Sequence, residues 1–283
     1  MGREENKKVF MHTESMCSSN KRIRESMAAT IKGQEVFLEK DEIIRPDLNV
    51  YKEKPQILVS KKRTFEAASS YASENRVVVH NFASASNPGG GVAKGASAQE
   101  ECLCRCSDLY FCLSTQEMMK VFYEPHRKEH NPLHNDDIIY TPQIIVFKTD
   151  SAEPKLMKES DWYEVDVITC AAPNLRQKPS NSYNRGDGNR AIKMKDRELL
   201  ALHEKRLRRI LDVAVMNGDD TIILGAFGCG AFMNSPEVVA LAAKNVISDY
   251  LNAFKNIEFA VYCSPKDDRN YKVFHRILKP YLP

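Results

Sequence analysis

The sequence predicts an α/β fold, a mixed and largely parallel sheet sandwiched by helices, with a helical accessory segment at its N-terminus. Three observations predict it. Short apolar runs at residues 77–79, 144–147, 165–169, 221–224 and 259–262 have the composition of strands buried on both faces. Two long segments with apolar residues at helical spacing separate the last three runs, and strand–helix–strand alternation implies parallel strands covered by helices. No internal repeat is present, which disfavours a solenoid or a propeller.

Taken in order, residues 1–18 are polar and charged with little periodicity and read as a mobile tail. Residues 19–50 read as an accessory segment packed on the core, with a helix over 21–31 that stops near Gly33 and a short strand over 35–38. The core spans 51–283. Its first long helix runs from about 196 to 215 and carries Leu199, Leu200, Leu207, Ile210 and Leu211. Its second opens at Ser235 and Pro236, an N-cap followed by proline at the first helical position. Ligands of such sheets bind beyond the carboxyl ends of the strands.

A chain of 283 residues suffices for one large domain plus an appendage. With 42% hydrophobic and 28% charged residues it has the composition of a soluble protein, and no apolar run is long enough to span a bilayer. The first residues lack the basic-then-apolar order of a secretory signal, so the cytoplasm is the expected compartment and no membrane partner is expected. Eight cysteines without a C-x2-C pair fit reduced thiols rather than a zinc clip. A net charge of +3 does not argue for nucleic-acid binding.

The chemistry concentrates after the 77–79 run. There the chain passes through Asn81 and Asn87 into Gly89, Gly90 and Gly91, and seven residues later reaches Gln99, Glu100 and Glu101. Consecutive glycines let backbone approach a ligand closely, and their amides can cradle a diphosphate. A second glycine loop, residues 225–232, again follows a strand and precedes a helix, a place suited to anions. Neither loop has P-loop or dinucleotide-fold spacing, so a nucleotide diphosphate held between two loops is the expected ligand. Glu100 and Glu101 would stand about 100° apart on a helix and cannot face each other across a scissile bond. One is expected to act and the other to hold, although a Glu pair can also merely favour a helix N-terminus.

Gly89-Gly90-Gly91, a seven-residue gap and Gln99-Glu100-Glu101 together resemble the signature of poly(ADP-ribose) glycohydrolases, which have a macro-domain fold. The sequence is most similar to the microbial-type branch, since segments 81–113, 140–142, 170–174 and 225–232 occur in the family's order within residues 19–280. The resemblance implies that Glu101 is the catalytic acid/base and that Glu100 fixes ribose hydroxyls. It places Gly89, Gly90 and Gly91, with Gly228, Cys229, Gly230, Ala231 and Phe232, along the diphosphate and terminal ribose. Phe232 would press on that ribose and Tyr262 would lie against adenine. Where macro domains often read Asn-x-x-Asn, this sequence has Asn81-Phe82-Ala83-Ser84, and Asn87 is the expected substitute for a ribose hydroxyl contact.

The implied function is hydrolysis of O-glycosidic ribose bonds in poly(ADP-ribose) with release of ADP-ribose, without metal or cofactor. Burial and the neighbouring Glu100 charge would both raise the Glu101 pKa. The partner would be ADP-ribose polymer or an ADP-ribosylated macromolecule, nucleic acid included only if ADP-ribosylated, and the protein a monomer. A non-catalytic ADP-ribose reader and a hydrolase of mono-ADP-ribose on protein or nucleic acid are the alternatives. His126, His130 and His134 sit four apart, but Pro125 and Pro132 interrupt any helix there, so a polar loop is preferred to a zinc site. Cys102, Cys104 and Cys106 read as packing residues, and residues 177–190 as an exposed loop able to recognise an anionic substrate.

Overall fold

The computed structural model describes residues 1–181, 184 and 186–283. Ser182, Tyr183 and Arg185, within the expected recognition loop 177–190, lie outside the described residues. The strands are β1 (Glu35–Phe37), β2 (Gln56–Ser60), β3 (Val77–Phe82), β4 (Ile138–Val146), β5 (Tyr163–Cys170), β6 (Thr221–Leu224) and β7 (Asn256–Ala260). They form a seven-stranded sheet in the order β1-β4-β5-β3-β6-β7-β2. Pairings β5–β3, β3–β6, β6–β7 and β7–β2 are parallel, whereas β1–β4 and β4–β5 are antiparallel. The predicted mixed, largely parallel sheet is therefore present.

The helices are α1 (Arg3–Ser19), α2 (Lys21–Lys32), α3 (Thr64–Ala68), α4 (Gln99–Cys106), α5 (Leu109–Leu113), α6 (Gln116–Met118), α7 (Glu124–Glu129), α8 (Asp196–Met216), α9 (Pro236–Ile247) and α10 (Arg269–Leu278). Period-two alternation along the strands divides the core. Val78 and Ile222 point to the layer that contains Ile210, Val239 and Phe274 from α8, α9 and α10. Val77, Val79 and Ile223 point to the opposite layer, with Phe10, Phe65 and Leu103 from α1, α3 and α4. Helices thus cover both faces. No helix among the described residues is long and apolar enough to cross a membrane.

The first difference from expectation is at the N-terminus. Residues 3–19 are not a mobile tail but a helix whose buried residues Asn6, Phe10, Thr13 and Cys17 fall at helical spacing. Polar members of that stripe find partners in the core: Asn6 Nδ2 donates to Gly95 O at 3.0 Å and Thr13 Oγ1 to Arg105 O at 2.6 Å. Buried Lys148 donates through Nζ to Val9 O and Thr13 Oγ1, each at 2.7 Å. The second difference is β2, an edge strand of only five residues that precedes Lys61 and Lys62 and gives little periodic signal. The third is the loop 177–190, where Asn184 and Asp187 are buried. Asn174 Nδ2 donates to Asp187 Oδ2 at 2.6 Å, so this part of the loop is docked rather than exposed.

Candidate active site

Strand β3 ends at Phe82, and α4 begins beside that end. Gln99 makes the join: its Oε1 accepts from the Phe82 amide at 2.9 Å, while Nε2 donates to His80 O at 2.8 Å and Thr64 Oγ1 at 3.1 Å. This bridge aims the first turn of α4 at the carboxyl ends of the parallel strands, where open α/β sheets bind ligands. The next two residues, Glu100 and Glu101, are both buried.

Each carboxylate is gripped by the loop between β3 and α4. Ser84 N donates to Glu100 Oε2 at 2.8 Å, and Asn81 Nδ2 reaches Glu100 Oε1 at 3.4 Å. Gly91 N donates to Glu101 Oε1 at 2.9 Å. Gly90 has a positive φ of 56°, and a Cβ there would stand 2.7 Å from Glu101 Oε1. Glycine is therefore required both by conformation and by close approach.

Burial pushes both carboxyls upward. Glu100 is raised well above the ordinary carboxylate range by burial first and then by the charge of Glu101. Glu101 is raised by burial, opposed by hydrogen bonding from the Gly91 amide and by the charge of Arg105. Two carboxyls this close repel each other when both are charged, so ionisation of one opposes ionisation of the other.

These residues open onto a cavity of about 650 Å³ lined by Gly90, Gln99, Glu100, Glu101, Gly228, Gly230, Ala231, Phe232 and Tyr262 among others. Two segments far apart in sequence, 90–101 and 228–232, therefore meet across one space. Asn87, Gly89, Gly91 and Cys229 are not on its wall. Asn87 Oδ1 accepts from Arg127 Nη2 at 3.0 Å and its amide donates to Ser84 Oγ at 3.2 Å, which holds it in the loop. Gly89 packs its backbone where a Cβ would meet Tyr110 at 2.7 Å. Gly91 spends its amide on Glu101, and Cys229 is buried. Tyr262 lies two residues past the end of β7 and is half-exposed.

The second glycine loop is held by a residue that sequence reasoning missed. Asn234 Nδ2 donates to Pro173 O at 2.7 Å, Gly228 O at 3.1 Å and Phe232 O at 3.3 Å, while Oδ1 pairs with His203 Nε2 at 2.9 Å. Phe232 itself lies beside His134, at a ring-centroid distance of 5.9 Å, and beside the Arg176 guanidinium, 5.8 Å from its ring. Also unanticipated on the cavity wall are Arg63, Thr64, Arg105, Asp150 and Arg176. A basic run over 61–63 directly after an apolar segment was the available signal for Arg63.

The tempting histidines and cysteines do not converge. His126 bonds Phe122 O and Asn135, His134 bonds Ala172 O, and His130 is the left-handed residue that ends α7. Among the described residues no group of three or more His, Cys, Asp or Glu is arranged to hold a metal ion. Cys104 and Cys106 are buried in the α4 layer, as packing residues are, whereas Cys102 is only partly buried and lines the cavity.

The family model for the microbial-type PARG catalytic domain matches residues 4–149. The chain belongs to that family. The match spans just over half of the chain and includes all but the first residue of α1, both glutamates and the first glycine loop. A solved structure of poly(ADP-ribose) glycohydrolase (PARG) from Deinococcus radiodurans in complex with ADP-ribose is 30% identical, covers 90% of this chain and 97% of its own, and superposes with a TM-score of 0.75. The PARG from Thermomonospora curvata is 25% identical over 97% of this chain and 99% of its own, with a TM-score of 0.81. A structure of the Thermomonospora protein bound to the inhibitor ADP-HPD is 26% identical over 96% of this chain and 99% of its own, with a TM-score of 0.78. No match is found among curated proteins. As a member of a family of PARG catalytic domains the chain is an enzyme, and the likeness of fold covers 90% of the chain for the Deinococcus structure and 97% for the Thermomonospora one.

Proposed function

We propose that this enzyme cleaves the O-glycosidic ribose bonds of poly(ADP-ribose) and releases ADP-ribose, with Glu101 as its single acid/base. The observation that carries the reading is the Glu101 carboxyl itself: buried, raised in pKa by that burial, and tethered by the Gly91 amide on the wall of a cavity that the second glycine loop also lines. Breaking a ribosyl C1–O bond builds oxocarbenium character on the sugar, and the departing oxygen takes a proton. Glu101 donates it and then accepts one from the attacking water. Glu100, held by Ser84 and Asn81, presents its other contacts to ribose hydroxyls. Diphosphate lies along Gly90 and the loop of Gly228, Gly230, Ala231 and Phe232, close enough to the cationic sugar to stabilise it.

Support also comes from the Deinococcus relative, whose structure holds ADP-ribose. The test compares labelled polymer, mono-ADP-ribosylated protein and ADP-ribosylated DNA as substrates, with and without EDTA. Release of ADP-ribose from polymer, unaffected by the chelator, is expected. Release confined to the mono-ADP-ribosylated substrates would replace the polymer assignment, and ADP-ribose binding without any hydrolysis would make the protein a reader.

A further inference from the structure

Arg105 follows Glu101 by four residues on α4, one helical turn further along the same face. Both side chains line the cavity, yet Arg105 is only 2% exposed. A cation buried so deeply is usually paired with a carboxylate. Among the described residues its acceptors are of another kind: Nη1 donates to Ala96 O, and Nη2 donates to Cys102 Sγ at 3.2 Å.

These contacts close a circuit through the first glycine loop. The Gly91 amide donates to Glu101 Oε1 at 2.9 Å, the Ala96 amide donates to Gly91 O at 3.1 Å, and the Ala96 carbonyl accepts in turn from Arg105. The turn of α4 between Glu101 and Arg105 completes the ring. Helix α1 pins it from outside, because Thr13 Oγ1 donates to Arg105 O at 2.6 Å and Asn6 Nδ2 to Gly95 O at 3.0 Å. A displaced guanidinium would therefore be felt at the amide that orients the Glu101 carboxyl.

The ring also carries a charge. Arg105 favours the ionised form of Glu101 and so works against the burial that raises its pKa. The other ionisable groups near this turn are Glu100, Cys102 and Cys104 on α4, Tyr110 from α5, and Arg63 and Asp150 on the cavity wall. His80 on β3 is neutral, because burial pushes its pKa down to about 3. Helix α1 buries the uncharged Asn6, Phe10, Thr13 and Cys17, and Lys94 is exposed. Arg63 stands 3.9 Å from Asp150, whose carboxylate offsets its charge, whereas Arg105 has no carboxylate within ion-pair distance among the described residues.

We infer that Arg105 is a positioning residue for Glu101: its guanidinium locks the glycine loop to α4 and holds a fixed positive charge one turn from the carboxyl. This rests on the role proposed for Glu101 above. Two variants separate the clamp from the charge. Arg105→Lys keeps the charge but loses the planar fork that reaches Ala96 O and Cys102 together, and Arg105→Gln keeps an N–H donor without the charge. Each is compared with the wild type in kcat and KM across pH, in calorimetric ADP-ribose affinity and in melting temperature. Titration of the Glu101 carboxyl by 13C NMR, assigned through the signal lost in Glu101→Gln, reads its ionisation without turnover.

Both variants should lose about 10- to 100-fold in kcat while ADP-ribose affinity changes by less than about threefold, since a small misplacement of the acting group weighs on the transition state. Glu101 must hold its proton to act as the acid, and removing a nearby cation makes it hold that proton to higher pH. The alkaline limb of kcat and the NMR titration should therefore both move up by about one pH unit in Arg105→Gln and stay in place in Arg105→Lys. An unmoved Glu101 titration in folded Arg105→Gln would overturn the inference, as would equal losses of kcat and ADP-ribose affinity, which would make Arg105 a binding group. Should Arg105→Gln not fold, wild-type turnover by Arg105→Lys would overturn the clamp. A wild type that cleaves neither polymer nor mono-ADP-ribosylated protein would overturn the proposed function, and the carboxyl titration would still decide the part played by Arg105.

Discussion

The Gly91 amide donates to Glu101 Oε1 at 2.9 Å, so the residue that closes the glycine run also orients the carboxyl proposed to carry the chemistry. Replacing Glu101 with Gln keeps an oxygen for that amide and removes the group able to give and then take a proton. Hydrolysis by Glu101→Gln should fall by about 10²- to 10⁴-fold while ADP-ribose affinity changes only a few-fold. Near-normal turnover would eliminate the single-carboxylate mechanism.

Glu100 sets a pH dependence of stability. Burial and the Glu101 charge raise its pKa in the folded protein, so the folded state holds that proton more tightly than the unfolded chain. The stabilisation is complete below the ordinary Glu value of about 4.3 and is lost as pH rises toward the raised folded value. Glu100→Gln has no proton to lose. Its melting temperature relative to wild type should improve steadily as pH is raised from about 4 to 8. A difference that stays constant with pH would show that Glu100 ionises in the fold as easily as in the unfolded chain.

Phe232 lies on the cavity wall beside His134 and Arg176, in the loop proposed to hold the reacting ribose. A group that sets the sugar's reacting geometry acts mainly on the transition state. Phe232→Ala should therefore lower kcat more than it weakens ADP-ribose binding, as read by steady-state kinetics beside calorimetry. Equal losses in both would assign the ring to binding alone.

Asn234 holds the second glycine loop through three carbonyls, with a His203 ring kept neutral because burial pushes its pKa down to about 4. Asn234→Ala should cost on the order of 1–3 kcal/mol in chemical denaturation, since buried carbonyls lose their donor. Asn234→Asp should be worse than Ala at neutral pH, because it turns a carboxylate toward those same carbonyls. An aspartate variant as stable as wild type would refute this account of the loop.

How much of this was legible beforehand follows from the range of each interaction. Strands β3, β5, β6 and β7, helices α8 and α9, the two glycine loops and the pair Glu100 and Glu101 are written in consecutive residues, as apolar runs, helical spacing, an N-cap with proline, and glycines whose freedom is a property of the residue itself. Those features are local, and the sequence by itself determined them. The docking of α1 was not local: its buried stripe contains Asn6 and Thr13, whose partners Gly95 O and Arg105 O lie about ninety residues away, and a polar residue looks exposed until its partner is known. The same holds for Arg63 against Tyr262 and for Asn234 across the second loop. The raised pKa of both adjacent glutamates was decided by tertiary structure too, because burial and hydrogen-bond donors, rather than residue type, set the cost of each charge.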